Sequence, residues 1–278
     1  MTGLGPEAGA ALAAHPGLDH VSFTGSPEVG AQVQKLAADN NVAVTMELGG
    51  KSPQLVFADA DLEAALPVLV GAIVQNSGQT CSAGSRVLVD QRAYDEVAGR
   101  LSERFAALRA GTYDMDLDLG PLINKKQHVR VSGYLERAKA SGLAALASGG
   151  FAPNLPPGGF FVKPTLLGDV PPDHEAAQKE IFGPVLSVIR FKDEAEAVRI
   201  ANGTAYGLTA GVWTRDGGRQ LRMAKALRSG QVFVNNYGAG GGVELPFGGV
   251  KRSGFGREKG VEGMRELTVL KMVAIRHG

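Results

Sequence analysis

The chain has 278 residues, 44% of them hydrophobic, enough for one large domain or two smaller ones around a buried core. Lysine plus arginine (29) nearly cancel aspartate plus glutamate (28), with no long basic run, which excludes nucleic acid and an anionic membrane surface as expected partners. The one cysteine, Cys81, excludes an intramolecular disulfide and the multi-cysteine zinc patterns, so no metal site is expected.

No run approaches the roughly 18 apolar residues of a membrane-spanning helix. The opening Met1 to Pro6 has neither the basic region nor the apolar core of a signal peptide, and a cytoplasmic location is expected. In chain order, Val21 to Thr24 reads as a strand ending at Gly25, followed by a helix from Val29 to Ala38 with Val29, Val33 and Leu36 on one face. A second strand runs from Val42 to Leu48, is broken by Gly49-Gly50, and a third covers Gln54 to Phe57 before Asp59 or Asp61 caps a helix. Helical spacing returns at Tyr94, Val97, Leu101, Phe105 and Leu108, and again over Gln127 to Ala140. Apolar runs at Val87 to Val89, Val185 to Phe191, Leu208 to Thr214 and Val232 to Val234 alternate with these helices. That pattern predicts an α/β fold with a largely parallel sheet. Ser148 to Pro157 reads as a surface loop. Leu267 to Ile275 reads as a terminal strand that needs an edge outside its own neighbourhood, with a subunit interface as its destination.

Gly25-Ser26-Pro27-Glu28-Val29-Gly30 lies between strand and helix, where backbone N–H groups suit a pyrophosphate, although a capped tight turn explains it equally well. Gly3, Gly5 and Ala8 match a dinucleotide fingerprint in spacing but lack a preceding strand. Gly50-Lys51-Ser52 resembles the end of a Walker loop, yet Thr45 stands where that loop needs glycine. In Met46-Glu47-Leu48-Gly49-Gly50-Lys51-Ser52-Pro53 a carboxylate ends an apolar strand, where burial is costly; a plain ion pair with a lysine is the structural explanation. Gln79-Thr80-Cys81-Ser82-Ala83-Gly84 places the thiol among small and polar residues, which weakens its reading as an ordinary core cysteine.

Together with Glu180-Ile181-Phe182-Gly183-Pro184-Val185 and Pro246-Phe247-Gly248-Gly249-Val250-Lys251-Arg252-Ser253-Gly254 downstream, these segments resemble the NAD(P)-dependent aldehyde dehydrogenase superfamily nearly end to end. The resemblance implies a parallel-sheet catalytic domain plus the remaining half of a Rossmann-type cofactor domain. The expected divisions are a partial dinucleotide-binding domain at 1–48, a catalytic domain at 49–249, and a connection with an oligomerisation strand at 250–278. It also implies NAD or NADP as cofactor and an aldehyde as substrate. Cys81 would be the nucleophile, its own backbone N–H serving the oxyanion, and Glu47 the base that hydrolyses the thioester, so that a free acid leaves. Gly25, Ser26, Gly30, Leu48, Gln127, Glu180 and Phe182 would contact the cofactor, while Asn235 and Phe247 would line the substrate pocket.

A full family member begins with further cofactor-domain strands, an oxyanion asparagine, and a lysine and glutamate for the adenosine ribose. This chain opens just before the Gly25 turn, which implies a shortened product, a fragment or part of a split enzyme. Weak cofactor affinity and association are expected, as a homo-oligomer (dimer or tetramer) or with the missing N-terminal portion. The alternative is a catalytically incompetent homologue acting as an interaction module or remnant. A low thiol pKa at Cys81 would favour the enzyme, and an inert thiol the remnant.

Overall fold

The computed structural model describes residues 2–238 and 242–278. A π-helical turn at Gly5–Gly9 runs into α1 (Ala10–Ala13). Then β1 (His20–Thr24), α2 (Pro27–Ala38) and β2 (Ala43–Glu47) form a βαβ unit, its strands parallel with Thr24 opposite Glu47. After the Gly49-Gly50 break come β3 (Pro53–Val56), α3 (Leu62–Val74), β4 (Arg86–Asp90), α4 (Tyr94–Ala107), β5 (Arg109–Ala110) and α5 (Lys125–Ala140). The chain continues through β6 (Ala145–Ser148), β7 (Gly150–Phe151), β8 (Thr165–Leu167), α6 (Glu175–Gln178), β9 (Val185–Phe191), α7 (Glu194–Asn202) and β10 (Thr209–Trp213). It closes with α8 (Gly217–Ala226), β11 (Gln231–Val234), β12 (Gly254–Phe255) and α9 (Gly260–Glu266).

The larger sheet has seven strands in the order β11-β10-β3-β4-β9-β8-β6, all parallel except β6 against β8. The chain is α/β. Side chains on these strands alternate between two cores, as strand geometry requires. Val87, Val89, Leu186 and Val188 pack with Leu66, Leu69, Leu101 and Phe105 of α3 and α4 on one face. Leu55, Leu88 and Ile189 pack with Val131, Ala176, Ile200 and Met223 from α5 to α8 on the other. A strand buried on both faces shows a continuous apolar run, as Val87 to Val89 does. Helix starts follow capping chemistry: Asp61, Asn124, Asp193 and Asp216 each accept a backbone N–H three residues on.

The smaller sheet has the order β1-β2-β12. Its third strand comes from the far end of the chain, with Gly254 opposite Glu47 and Phe255 opposite Met46 in antiparallel register. The stretch 250–278 is therefore attached to the first βαβ unit through β12. Two expectations differ from the structure. Among the described residues Leu267 to Ile275 pairs with no strand, and Val269, Leu270 and Met272 stand exposed. Within Ser148 to Pro157, Ser148 ends β6, and Gly150–Phe151 pairs with Arg109–Ala110, a two-residue ladder too short for periodicity to reveal. Among the described residues no helix is long and apolar enough to cross a membrane.

Candidate active site

Glu47 ends β2 and faces a cleft between the two sheets. Its backbone is pinned from both sides: Glu47 O accepts from Gly25 N at 3.0 Å, and Leu48 N donates to Ser253 O at 3.0 Å. The side chain is 3% exposed, and neither carboxylate oxygen has a hydrogen-bond partner. Oε1 lies where Gly248 leaves space; a Cβ at Gly248 would stand 2.7 Å from it. Burial, reinforced by the Glu258 carboxylate and partly opposed by Arg257, pushes the Glu47 pKa up to about 8. An unpaired carboxylate in such surroundings is expensive to ionise and is a strong base once ionised.

Cys81 sits half-buried in a turn that follows α3. The chain reaches it through Asn76 and Ser77, both at positive φ, and Ala83 N donates to Thr80 O at 3.2 Å to close the turn. Gly50 packs against the Cys81 carbonyl with no room for a Cβ, so this glycine is what lets the two segments approach. Burial raises the thiol above its ordinary value, and the carboxylates of Glu180 and Glu47 raise it further, while the backbone N–H groups of Ser82 and Cys81 oppose the rise. The low thiol expected of an assembled site is thus not what this arrangement produces. Two carboxylates face the sulfur.

Glu180 closes the cleft opposite Gly49. Its Oε1 accepts from Gly50 N at 2.9 Å, and burial raises its pKa against the pull of that bond and of Arg130 and Lys51. Gln127 holds the same loop from behind: its Nε2 donates to Phe182 O at 2.6 Å and Ile181 O at 3.1 Å. Arg130, one turn along α5, donates to Glu180 O at 2.6 Å. These bonds fix Phe182 at φ 61°, a conformation that a bulky residue keeps only when its surroundings enforce it. At the opposite wall Ser26 caps α2, accepting from Val29 N at 3.3 Å, with Pro27 at the first helical position.

One cleft of about 610 Å³ therefore brings together Glu47, Cys81, Gly25, Ser26, Gln127, Glu180 and Phe182. The chain belongs to the aldehyde dehydrogenase family. That family's sequence profile matches residues 1–273. An aldehyde dehydrogenase of Emericella nidulans is 42% identical over 280 residues, covering 100% of this chain and 56% of that protein. Mouse cytosolic aldehyde dehydrogenase 1 is 42% identical over 278 residues, covering 99% of this chain and 55% of that protein. Among solved structures, one from Burkholderia cenocepacia assigned as an aldehyde dehydrogenase superposes with a TM-score of 0.98 at 62% identity, over 100% of this chain and 58% of that one. The NAD+ complex of a Bacillus cereus aldehyde dehydrogenase gives a TM-score of 0.89 at 40% identity, over 95% of this chain and 53% of that one. The chain spans about half the length of the relatives it matches.

Four residues marked from the sequence of this aldehyde dehydrogenase family chain lie outside the cleft. Gly30 and Leu48 pack on one another, a Cβ at Gly30 standing 2.6 Å from Leu48 Cδ2, and so join α2 to the end of β2. The Asn235 side chain is spent on Thr214, accepting from its N and donating to its O, both at 3.0 Å. Phe247 is 9% exposed, pairs through its backbone with Glu258, and borders a separate cavity of about 220 Å³ with Gln231, Phe233 and Lys259. Conversely, Pro27, Glu28, Gly49, Gln79 and Thr80 line the cleft from within the motifs without having been given a role, and Thr24, Arg130 and Tyr206 line it from outside them. Arg130, three residues after Gln127, shares its helix face and could have been found by that spacing. Tyr206 carries no such signal.

Proposed function

We propose that this chain carries the nucleophile and base of an aldehyde oxidation that yields a free carboxylic acid, with NAD or NADP as hydride acceptor. The observation that carries the reading is the single cleft in which Cys81, Glu47 and Glu180 meet. The donor set suits the nicotinamide end of a dinucleotide: one Glu180 oxygen is held by Gly50 while the carboxylate still faces the cleft to accept from ribose hydroxyls, and Ser26 opens a twelve-residue helix whose N-terminus favours phosphate. A bound oxidised nicotinamide would supply the hydride acceptor.

The chain's own residues do the rest. The Cys81 thiolate adds to the aldehyde carbon, and the backbone N–H of Cys81 itself meets the oxyanion. Gly50, packed on the Cys81 carbonyl, keeps the turn in place during that addition. After oxidation the acyl group is held as a thioester, and Glu47 takes a proton from the water that attacks it. The partnerless carboxylate, with its pKa about 8, is a far better base than an exposed glutamate. The NAD+ bound by the Bacillus cereus relative and the cytosolic name of the mouse relative support the cofactor and a cytoplasmic location. Association with another chain would cover the exposed apolar residues between Leu267 and Ile275.

A second reading, a non-catalytic homologue, draws on the raised thiol. Both are tested by incubation with an aliphatic aldehyde and NAD+, following absorbance of the reduced nicotinamide and intact mass. Oxidation with a transient acyl adduct on Cys81 is expected; no reduced nicotinamide and no adduct, at any protein concentration, would remove the catalytic reading.

A further inference from the structure

The turn that carries Cys81 is also held from a second flank, by a hydroxyl network that the scheme above leaves without a role. Tyr237 lies three residues beyond β11. Its phenol donates to the Ser82 carbonyl at 2.7 Å and sits 2.7 Å from Thr209 Oγ1, which is itself 2.8 Å from Ser52 Oγ. Thr209 opens β10, and Ser52 follows the glycine pair that touches Glu180 and Cys81. The network thus ties three separate segments to the residue after the nucleophile. The ring is seated as well: a Cβ at Gly211 would stand 3.0 Å from Tyr237 Cδ2, so β10 leaves space there, and Phe233 packs beside it at 5.8 Å between centroids.

A side chain held at both ring and hydroxyl is a rigid strut. The Ser82 carbonyl it grips belongs to the turn whose Cys81 and Ser82 N–H groups favour the thiolate. If that carbonyl were free, the turn could rotate about the Ser82 backbone and carry those donors off the sulfur.

We propose that Tyr237 is a positioning residue for the nucleophile, holding the Thr80 to Ala83 turn by its bond to the Ser82 carbonyl so that the backbone N–H groups stay aimed at the Cys81 sulfur. The inference rests on Cys81 being the nucleophile. Tyr237→Phe tests it, because the ring keeps its seat and only the hydroxyl leaves. Glu180 and Glu47, the charged groups facing the thiol, are untouched.

Two readouts are taken on the chain without cofactor. The first is the pH midpoint of Cys81 alkylation by iodoacetamide, expected to rise by about one pH unit, the equivalent of one lost hydrogen bond to a charged group. The second is acylation by p-nitrophenyl acetate, expected to slow roughly 10- to 100-fold with little change in KM, the scale of a misplaced reacting group. Thr209→Val should move both in the same direction by less, and Thr209→Ser should restore them. An unmoved midpoint in Tyr237→Phe, or slower acylation that merely follows a lower Tm while the midpoint stays, overturns the proposal. A shifted midpoint in a protein that oxidises no aldehyde supports the positioning role and counts instead against aldehyde oxidation.

Discussion

Strands β3, β4 and β9 are buried almost throughout, whereas β1 alternates half-buried and exposed positions and, among the described residues, pairs on one side only. The larger sheet is covered by helices on both faces; the smaller is closed by two residues, Gly254 and Phe255, returning from the far end of the chain. The candidate chemistry is divided between them. Cys81 belongs to a turn packed onto the larger sheet, while Glu47 ends a strand of the smaller one. The proposed nucleophile thus rests against a sheet packed on both faces, and the proposed base on a sheet whose first strand is nowhere fully buried. Thermal or chemical stress should separate the two functions, acylation outlasting deacylation.

The sharpest way to break this division is Cys81→Ser, which should abolish acyl-adduct formation by intact mass with both sheets intact; a persisting adduct would move the chemistry elsewhere. Next is Leu88→Ala, in the centre of the larger core, expected to cost about 2–5 kcal/mol. Trp213, the one tryptophan, is buried in that sheet and reports its unfolding by fluorescence; a loss under 1 kcal/mol, roughly, would mean the core is looser than its burial implies.

Glu47→Gln should let the acyl adduct accumulate, with wild-type deacylation rising with pH and levelling above about 8. The same group carries a stability signature. Because its folded pKa lies above the ordinary value of 4.5, the folded state binds the extra proton between those values, and stability attributable to Glu47 falls as pH rises from there to about 8. Glu47→Gln should therefore match wild type near pH 4.5 and exceed it above pH 8, by on the order of a few kcal/mol in the smaller sheet. A variant less stable than wild type at high pH would show that the carboxylate is paired. The smallest effect is expected of Ser26→Ala, about 1 kcal/mol on α2, visible as faster hydrogen exchange in α2 and not in Trp213 fluorescence.

Apolar runs and caps made much of the larger sheet legible. Val87 to Val89 and Val185 to Phe191 are strands because both faces are buried, and Asp61 is a cap because its side chain meets the third N–H on. The order of strands was not legible, since each crossover is set by packing over a whole helix. β6 and β8 were missed as well: Ala145 to Ser148 holds one half-buried residue among exposed ones and pairs antiparallel with a three-residue strand. At the site, motifs and the family resemblance marked Glu47, Cys81 and Glu180, which share one cleft, whereas the amide of Asn235, marked by the same resemblance, is bound to Thr214 outside it. Tyr237 gave no signal, because its role depends on a carbonyl that is 155 residues away.

The proximity of thiol and carboxylate is tested most directly by titrating Cys81 through its alkylation rate in wild type and in Glu47→Gln. Glu47 is ionised where the thiol titrates, and its charge is one cause of the raised thiol pKa, so removing it should lower the alkylation midpoint. An identical midpoint in the two proteins would contradict a shared cleft and the division of labour drawn from it.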